Sequence, residues 1–313
     1  MTRRIVTFLL AWALACTTHG AAMADKELTF QTWCIGRHLI DVPESYEPLE
    51  NYGTINAMRV EPLGPGDADT LNRVYAQRAE ALASGQVMDE GVPLVFRGQY
   101  RDSELQVLAH ELDLGQAPGA SYTWTEEAYV VRDGAMLRVV QVLSEDEEAG
   151  PRAQMLDLAR NATPRTRQGV PKAVGSCLPD AIVAVAPTSE VHGMTFVPRD
   201  ADGAPVGLEV SITSRSADDP ALDLEEDMPR RSLSEPFALA GREGLLVEDP
   251  ERFGPSRLAV LTREASGDRP ALRVQIYYYD ERPEPGAEPY TQAHAQQIWD
   301  RIVSSFRERS VAQ

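Results

Sequence analysis

Two stretches of this 313-residue chain open alike, 143 residues apart: Trp33-Cys34-Ile35-Gly36-Arg37-His38-Leu39-Ile40-Asp41-Val42-Pro43 and Ser176-Cys177-Leu178-Pro179-Asp180-Ala181-Ile182-Val183-Ala184-Val185-Ala186. Each puts a cysteine just ahead of an aliphatic run. The closing halves repeat in nearly the same register, because Leu137-Arg138-Val139 and Leu272-Arg273-Val274 each precede a helical pattern. A repeat on this scale points to tandem copies of one unit. We therefore expect two domains, residues 25–168 and 169–313, divided at the Pro- and Gly-containing stretch Thr163 to Pro171.

Within the first copy, Leu39 to Val42 and Thr54 to Val60 read as strands, and a helix follows from a cap at Asp69 or Thr70. Leu71, Val74, Tyr75, Ala79 and Leu82 keep helical spacing up to Gly85. Alternating strands then run from Leu94 to Leu143, turning at Arg132-Asp133-Gly134. In the second copy, strands are expected near residues 182–185, 194–197, 208–213, 244–247, 258–262 and 272–279, and a helix over 290–309. Consecutive strands with flanking helices predict an α+β fold, each copy an antiparallel sheet with packed helices. A parallel α/β sheet would need a helix after nearly every strand.

Residues 1–24 read as an export signal: Arg3 and Arg4, the apolar run Ile5 to Cys16, then Ala22-Met23-Ala24 before Asp25. The apolar run is too short to span a bilayer. A lipid-anchored Cys16 is the minority alternative, because Ala13 stands where a lipoprotein signal has Leu. The expected mature chain is periplasmic, without stable membrane insertion. Cleavage takes the net charge from -18 to -20, with 28 basic against 48 acidic residues. Such a surface repels phosphate backbones and excludes nucleic acid as a partner, while suiting a basic protein. Cleavage also leaves two cysteines, Cys34 and Cys177. In an oxidising compartment they could form a bond stapling the copies together, or stay as two buried thiols at equivalent positions.

The sequence carries few signatures of catalytic chemistry. No Gly-x-Ser-x-Gly elbow occurs. His38, His110, His192 and His294 are too dispersed for a zinc pair, His110-Glu111 lacks the second histidine of a zinc motif, and we expect His38 and His294 at the surface or half-buried. Asp200-Ala201-Asp202-Gly203 lacks the remaining ligands of a calcium loop. Tyr277 to Tyr279 and the tryptophans Trp33, Trp124 and Trp299 read as packing residues. We expect no catalytic residues, no cofactor and no metal. Two acidic runs are contact candidates: Glu145, Glu147 and Glu148, and Asp218, Asp219, Glu225, Glu226 and Asp227.

The opening from Trp33 to Pro43 is similar to the Cys-x-Gly-Arg-(aromatic)-Leu-(aliphatic)-Asp-(aliphatic)-Pro start of the two-domain immunity proteins that accompany type VI secreted lipase effectors of family four. His38 stands where that family has an aromatic residue. Gly175 to Ile182 resembles the start of the family's C-terminal domain, and Ala240-Gly241-Arg242-Glu243-Gly244 its Gly-x-x-Gly turn. The resemblance covers essentially the whole mature chain. It implies a periplasmic binding protein without chemistry of its own, which blocks a phospholipase toxin by seizing its lid region between two lobes. The acidic runs would then form the rim of the contact. Alternative functions are a periplasmic solute- or envelope-binding protein, or a carboxylate-dependent hydrolase.

Overall fold

The computed structural model describes residues 28–89, 91–102, 104–112, 123–144, 149–185, 189–198, 206–215, 233–248, 257–261, 271–280 and 292–309. The first half contains β1 (Phe30–Ile35), β2 (His38–Pro43), β3 (Tyr46–Ile55), β4 (Arg59–Pro65), α1 (Ala68–Ala83), β5 (Met88–Asp89), β6 (Val92–Asp102), β7 (Leu105–Leu112), β8 (Thr123–Arg132), β9 (Ala135–Ser144), α2 (Ala149–Asn161) and β10 (Ala162–Pro164). The second contains β11 (Ser176–Cys177), β12 (Ala181–Val183), β13 (Ser189–Pro198), β14 (Val206–Arg215), β15 (Leu233–Leu239), β16 (Arg242–Glu248), β17 (Arg257–Leu261), β18 (Ala271–Asp280), α3 (Gln292–Ser305) and β19 (Arg307–Glu308). The architecture is α+β, and every recorded strand pair is antiparallel.

The N-terminal lobe is a six-stranded sheet in the order β4-β9-β8-β7-β6-β5. Alternation along β8 and β9 sends residues to opposite faces, and a helix covers each face. On one face α1 lays Leu71 and Leu82 against Leu94, Leu108, Tyr129 and Met136. On the other α2 packs Met155 and Leu158 against Val107, Val130 and Val139. The helix cap is Asp67, whose side chain accepts from the Thr70 amide at 2.8 Å, rather than Asp69 or Thr70. The expected strand from Thr54 to Val60 is interrupted: Thr54 and Ile55 end β3, Arg59 and Val60 begin β4, and a turn lies between them. Asn56 and Ala57 both adopt positive φ, 51° and 63°, which suits the twist of a two-residue hairpin. Asp133 and Gly134 make the turn expected there in the same way, at 49° and 76°.

The second lobe carries the sheet β18-β14-β13-β3 and the meander β15-β16-β17, whose last strand runs beside β18. Residue 168, the expected boundary, falls between β10 and β11, yet strands pair across it in three places. β3 of the first half is the outer partner of β13, β2 pairs with the terminal β19, and β10 pairs with β12. The cores cross it as well. Trp33, Ile40 and Val42 of the first opening are buried with Phe196, Leu208 and Ile298 of the second half. Leu178, Ala181 and Val183 of the second opening are buried with Ile55, Val139 and Leu158 of the first. Each opening therefore completes the hydrophobic core of the other half, where burial of its apolar side chains is the driving force.

Candidate functional site

The two openings meet where they cross, and this seam holds a cluster of buried polar groups. Gly36 turns the β1–β2 hairpin with φ 55°, bringing its backbone beside Cys177. Gly36 N donates to Cys177 O at 3.0 Å and Cys177 N to Gly36 O at 2.8 Å. Cys34 and Cys177 are joined by a disulfide with their Cα atoms 5.8 Å apart. The end of the chain closes over it. Arg309 N donates to Arg37 O at 2.7 Å, and its guanidinium donates to the carbonyls of Pro171 at 2.7 Å, Gly175 at 3.3 Å and Ala173. Burial lowers the Arg309 pKa from its ordinary range.

Beneath the disulfide lies a buried carboxylate. Glu190 of β13 accepts from Arg37 Nε at 2.5 Å and from the Ser176 hydroxyl, with His192 Nε2 3.5 Å away. Burial by itself would raise its pKa. The His192 ring, the Arg37 cation and the Ser176 hydroxyl overcome this and hold the Glu190 carboxyl down at about 2. His192 is wedged between two glycines: a Cβ on Gly36 would stand 2.4 Å from its Cδ2, and one on Gly53 2.7 Å from its Nδ1. Those glycines are required by close approach of the ring, one from each of two segments of the first half. His38 lies near, stacked on Phe306 with ring centroids 5.0 Å apart. Burial drives its pKa down to about 3, against the pull of Glu190, so the ring is neutral at pH 7.

His38 is thus a core residue at 3% exposure, not a surface or half-buried one, and His110 and His192 are buried as well at 6% and 1%. Nothing in their sequence neighbourhood signals this, because their covers come from distant segments. His294 falls in α3 where side chains are outside the described residues. Trp33, Trp124 and Trp299 are buried as expected. The acidic contact candidates Glu145, Glu147, Glu148, Asp218, Asp219, Glu225, Glu226 and Asp227, and the turn Asp200 to Gly203, lie outside the described residues.

Sequence reading missed the acids that are structurally committed. Glu126 and Glu127, adjacent on β8, point to opposite faces and are each gripped by an arginine of the covering helix. Arg152 of α2 reaches both Glu126 oxygens, and Tyr100 and Trp124 donate to the same carboxylate at 2.9 and 3.3 Å. Arg78 of α1 donates to Glu127 at 2.8 and 3.3 Å, with His110 Nε2 3.1 Å away and the Tyr129 hydroxyl donating as well. Burial would raise the Glu127 pKa, but these donors and the Arg138 cation hold it far below the usual carboxylate range. Such pairs fix how each helix sits on the sheet; removing one partner would strand a buried charge. Among the described residues, no three His, Cys, Asp or Glu side chains gather in a way that could hold a metal ion. No helix among them is long and apolar enough to cross a membrane.

Residues 31–170 match the family model described as the Tle cognate immunity protein 4 N-terminal domain. The match places this stretch, rather than the whole chain, in that immunity-protein family. Solved structures share its fold over nearly their whole length. The immunity-protein fold recorded in the crystal structure of a Tle4–Tli4 complex matches with TM-score 0.61 at 20% identity, covering 90% of this chain and 98% of that one. The apo immunity protein TplEi of the Pseudomonas aeruginosa type VI secretion system matches with TM-score 0.59 at 19% identity and the same coverage. A further structure of TplEi, in complex with a peptide called "L", matches equally well. No curated protein matches the chain by sequence. The family match ends near the middle of the chain, whereas the structural matches extend across both lobes.

Proposed function

We propose that this chain is a periplasmic immunity protein that binds a type VI secreted lipase effector and holds it inactive by covering its active-site entrance or lid. The observation that carries the reading is the family match over residues 31–170, on a two-lobed fold shared with an immunity protein solved in complex with its Tle effector. Inhibition by occlusion needs no reacting group on the inhibitor. It needs a rigid surface of standard interface size, about 1,600 Å² in total, with a few buried anchors and a polar rim. Crossed openings, a disulfide and a buried Glu190 cluster suit a scaffold whose lobes must hold a fixed relation while gripping a partner.

The finer organisation belongs to the same proposal. Strands β4-β9-β8-β7-β6 in one lobe and β14-β18-β17-β16-β15 in the other follow one order, and α2 with β10 corresponds to α3 with β19. This supports two copies of a single unit, residues 25–168 and 169–313, whose openings have been exchanged. Residues 1–24 act as the export signal, and the acidic runs at 145–148 and 218–227 form a rim that speeds encounter with a basic partner.

The test asks whether a Gly-x-Ser-x-Gly lipase is encoded beside this gene and measures its activity with and without the mature chain. Inhibition that saturates at one equivalent supports the reading. Unchanged lipase activity with no calorimetric binding rejects it.

A further inference from the structure

We propose that the outward face of the β3–β13 pair, centred on Leu49, Tyr52 and Val191, is a contact surface for the lipase, and that it receives an uncharged apolar segment flanked by basic side chains. The inference rests on the functional reading above and names the surface that reading lacks.

The register defines the face. Along β13, Glu190, His192, Met194 and Phe196 are buried inward, so Val191, Gly193, Thr195 and Val197 point outward. Val191 pairs with Thr54 and Gly193 with Tyr52, which places those β3 residues on the same side. Between Thr195 and Phe196 the register shifts, so that Glu50 and Pro48 are paired and Leu49 is the extra residue of a bulge. A bulge re-aims a side chain, and this one turns Leu49 into solvent at 65% exposure. Tyr52, 49% exposed, lies flat over Gly193: a Cβ there would sit 2.1 Å from the ring. Glycine is needed at that position to seat the aromatic on the sheet.

Three features make this a binding face rather than scattered apolar exposure. First, β3 is the outer strand of its sheet; it carries the charge and proline that ordinarily guard an edge, at Glu47, Pro48 and Glu50, and still leaves Leu49 and Tyr52 exposed. Second, apart from Glu50 in register with Thr195, the composition is that of an interface centre: Tyr, Leu, Val, Thr and Gly, without a basic residue at any of these positions, in a chain of net charge -18. Third, the pair joins one strand from each half of the chain, so one occupant touches both. Charge selects the occupant. Exposed Glu47 borders the patch and the whole chain is acidic, which favours a partner with basic flanks and disfavours a second copy of this chain.

The experiment compares the full mature chain with Leu49→Asp, Tyr52→Ala and, as a control on the far edge of the N-terminal sheet, the 59%-exposed Met88→Asp. Affinity for the adjacent lipase, lipase inhibition, thermal melting and self-association are read for each. Leu49→Asp and Tyr52→Ala are each expected to weaken lipase binding at least tenfold, chiefly through faster dissociation, with melting unchanged and Met88→Asp at the wild-type level. Wild-type affinity in both patch variants, while the parent chain inhibits, overturns the surface and leaves the functional reading standing. Loss of self-association with inhibition intact also overturns it, assigning the patch to a second copy of the chain. A parent chain that fails to bind the lipase overturns both.

Discussion

The two openings resemble each other in sequence and perform unequal work. The first forms a full hairpin, paired from Phe30↔Pro43 to Ile35↔His38, and buries Trp33, Ile40 and Val42 beneath α3 of the other half. Its Asp41 accepts from Arg301 at 2.6 Å and Thr32 at 2.8 Å, while the Asp41 amide donates to Ser305. The second is reduced to Ser176↔Val183 and Cys177↔Ile182, and contributes the smaller side chains Leu178, Ala181 and Val183 to the first core. A shared motif thus marks a shared topological role. The energetic weight follows the apolar area each copy buries and the polar ties it adds.

The largest test removes what the openings have in common. The disulfide closes a loop of 143 residues, and replacing both cysteines by serine should lower stability by about 5 kcal/mol through added freedom of the unfolded chain. Denaturant unfolding of the two oxidation-matched proteins measures it. An unchanged midpoint would mean that strand pairing alone holds the seam. Next, Trp33→Ala should cost about 4 kcal/mol and Ile182→Ala about 3 kcal/mol; equal losses would abolish the asymmetry between openings.

Acid should expose the same asymmetry, since His38 belongs to the first opening. Its folded pKa of about 3 lies below the ordinary 6.5, so the stability it contributes is complete above pH 6.5 and is lost as pH falls toward 3. One proton gives a slope of about 1.4 kcal/mol per pH unit. Glu190, held at about 2, adds a further loss once pH drops below 4.5. A His38→Phe variant should flatten the upper part of this profile; a profile identical to the parent's would remove His38 from the account. The smallest effect is expected from Arg309→Ala, about 1 kcal/mol, because its carbonyl partners at 171–175 regain water when it leaves. A loss as large as that of the disulfide would show the chain terminus to be the true fastener.

Legibility varied with the range of the interactions involved. The helix α1 and the meander from β6 to β9 were readable because their apolar periods are local, and Asp133-Gly134 is a strong turn signal. The cap went astray by two residues or more, since Asp67, Asp69 and Thr70 are all capping types and only backbone geometry chooses among them. The Asn56-Ala57 turn was hidden because alanine rarely accepts positive φ. Arg37 and Glu190 stand 153 residues apart, so their pairing had no sequence signature, and neither did the division of labour between Glu126 and Glu127. Leu49 reads as an ordinary strand residue until the bulge is seen.

By itself, the sequence determined the α+β class, the recurrence of the cysteine openings, the excess of acid and the resemblance to immunity proteins, because periodicity, composition and motif are properties of neighbours along the chain. Only the tertiary structure decided that each opening would serve the opposite half, that three histidines would lie buried at 3%, 6% and 1% exposure, and that Leu49 and Tyr52 would face solvent. Those outcomes depend on which distant surfaces exclude water together, and that is settled by packing in three dimensions.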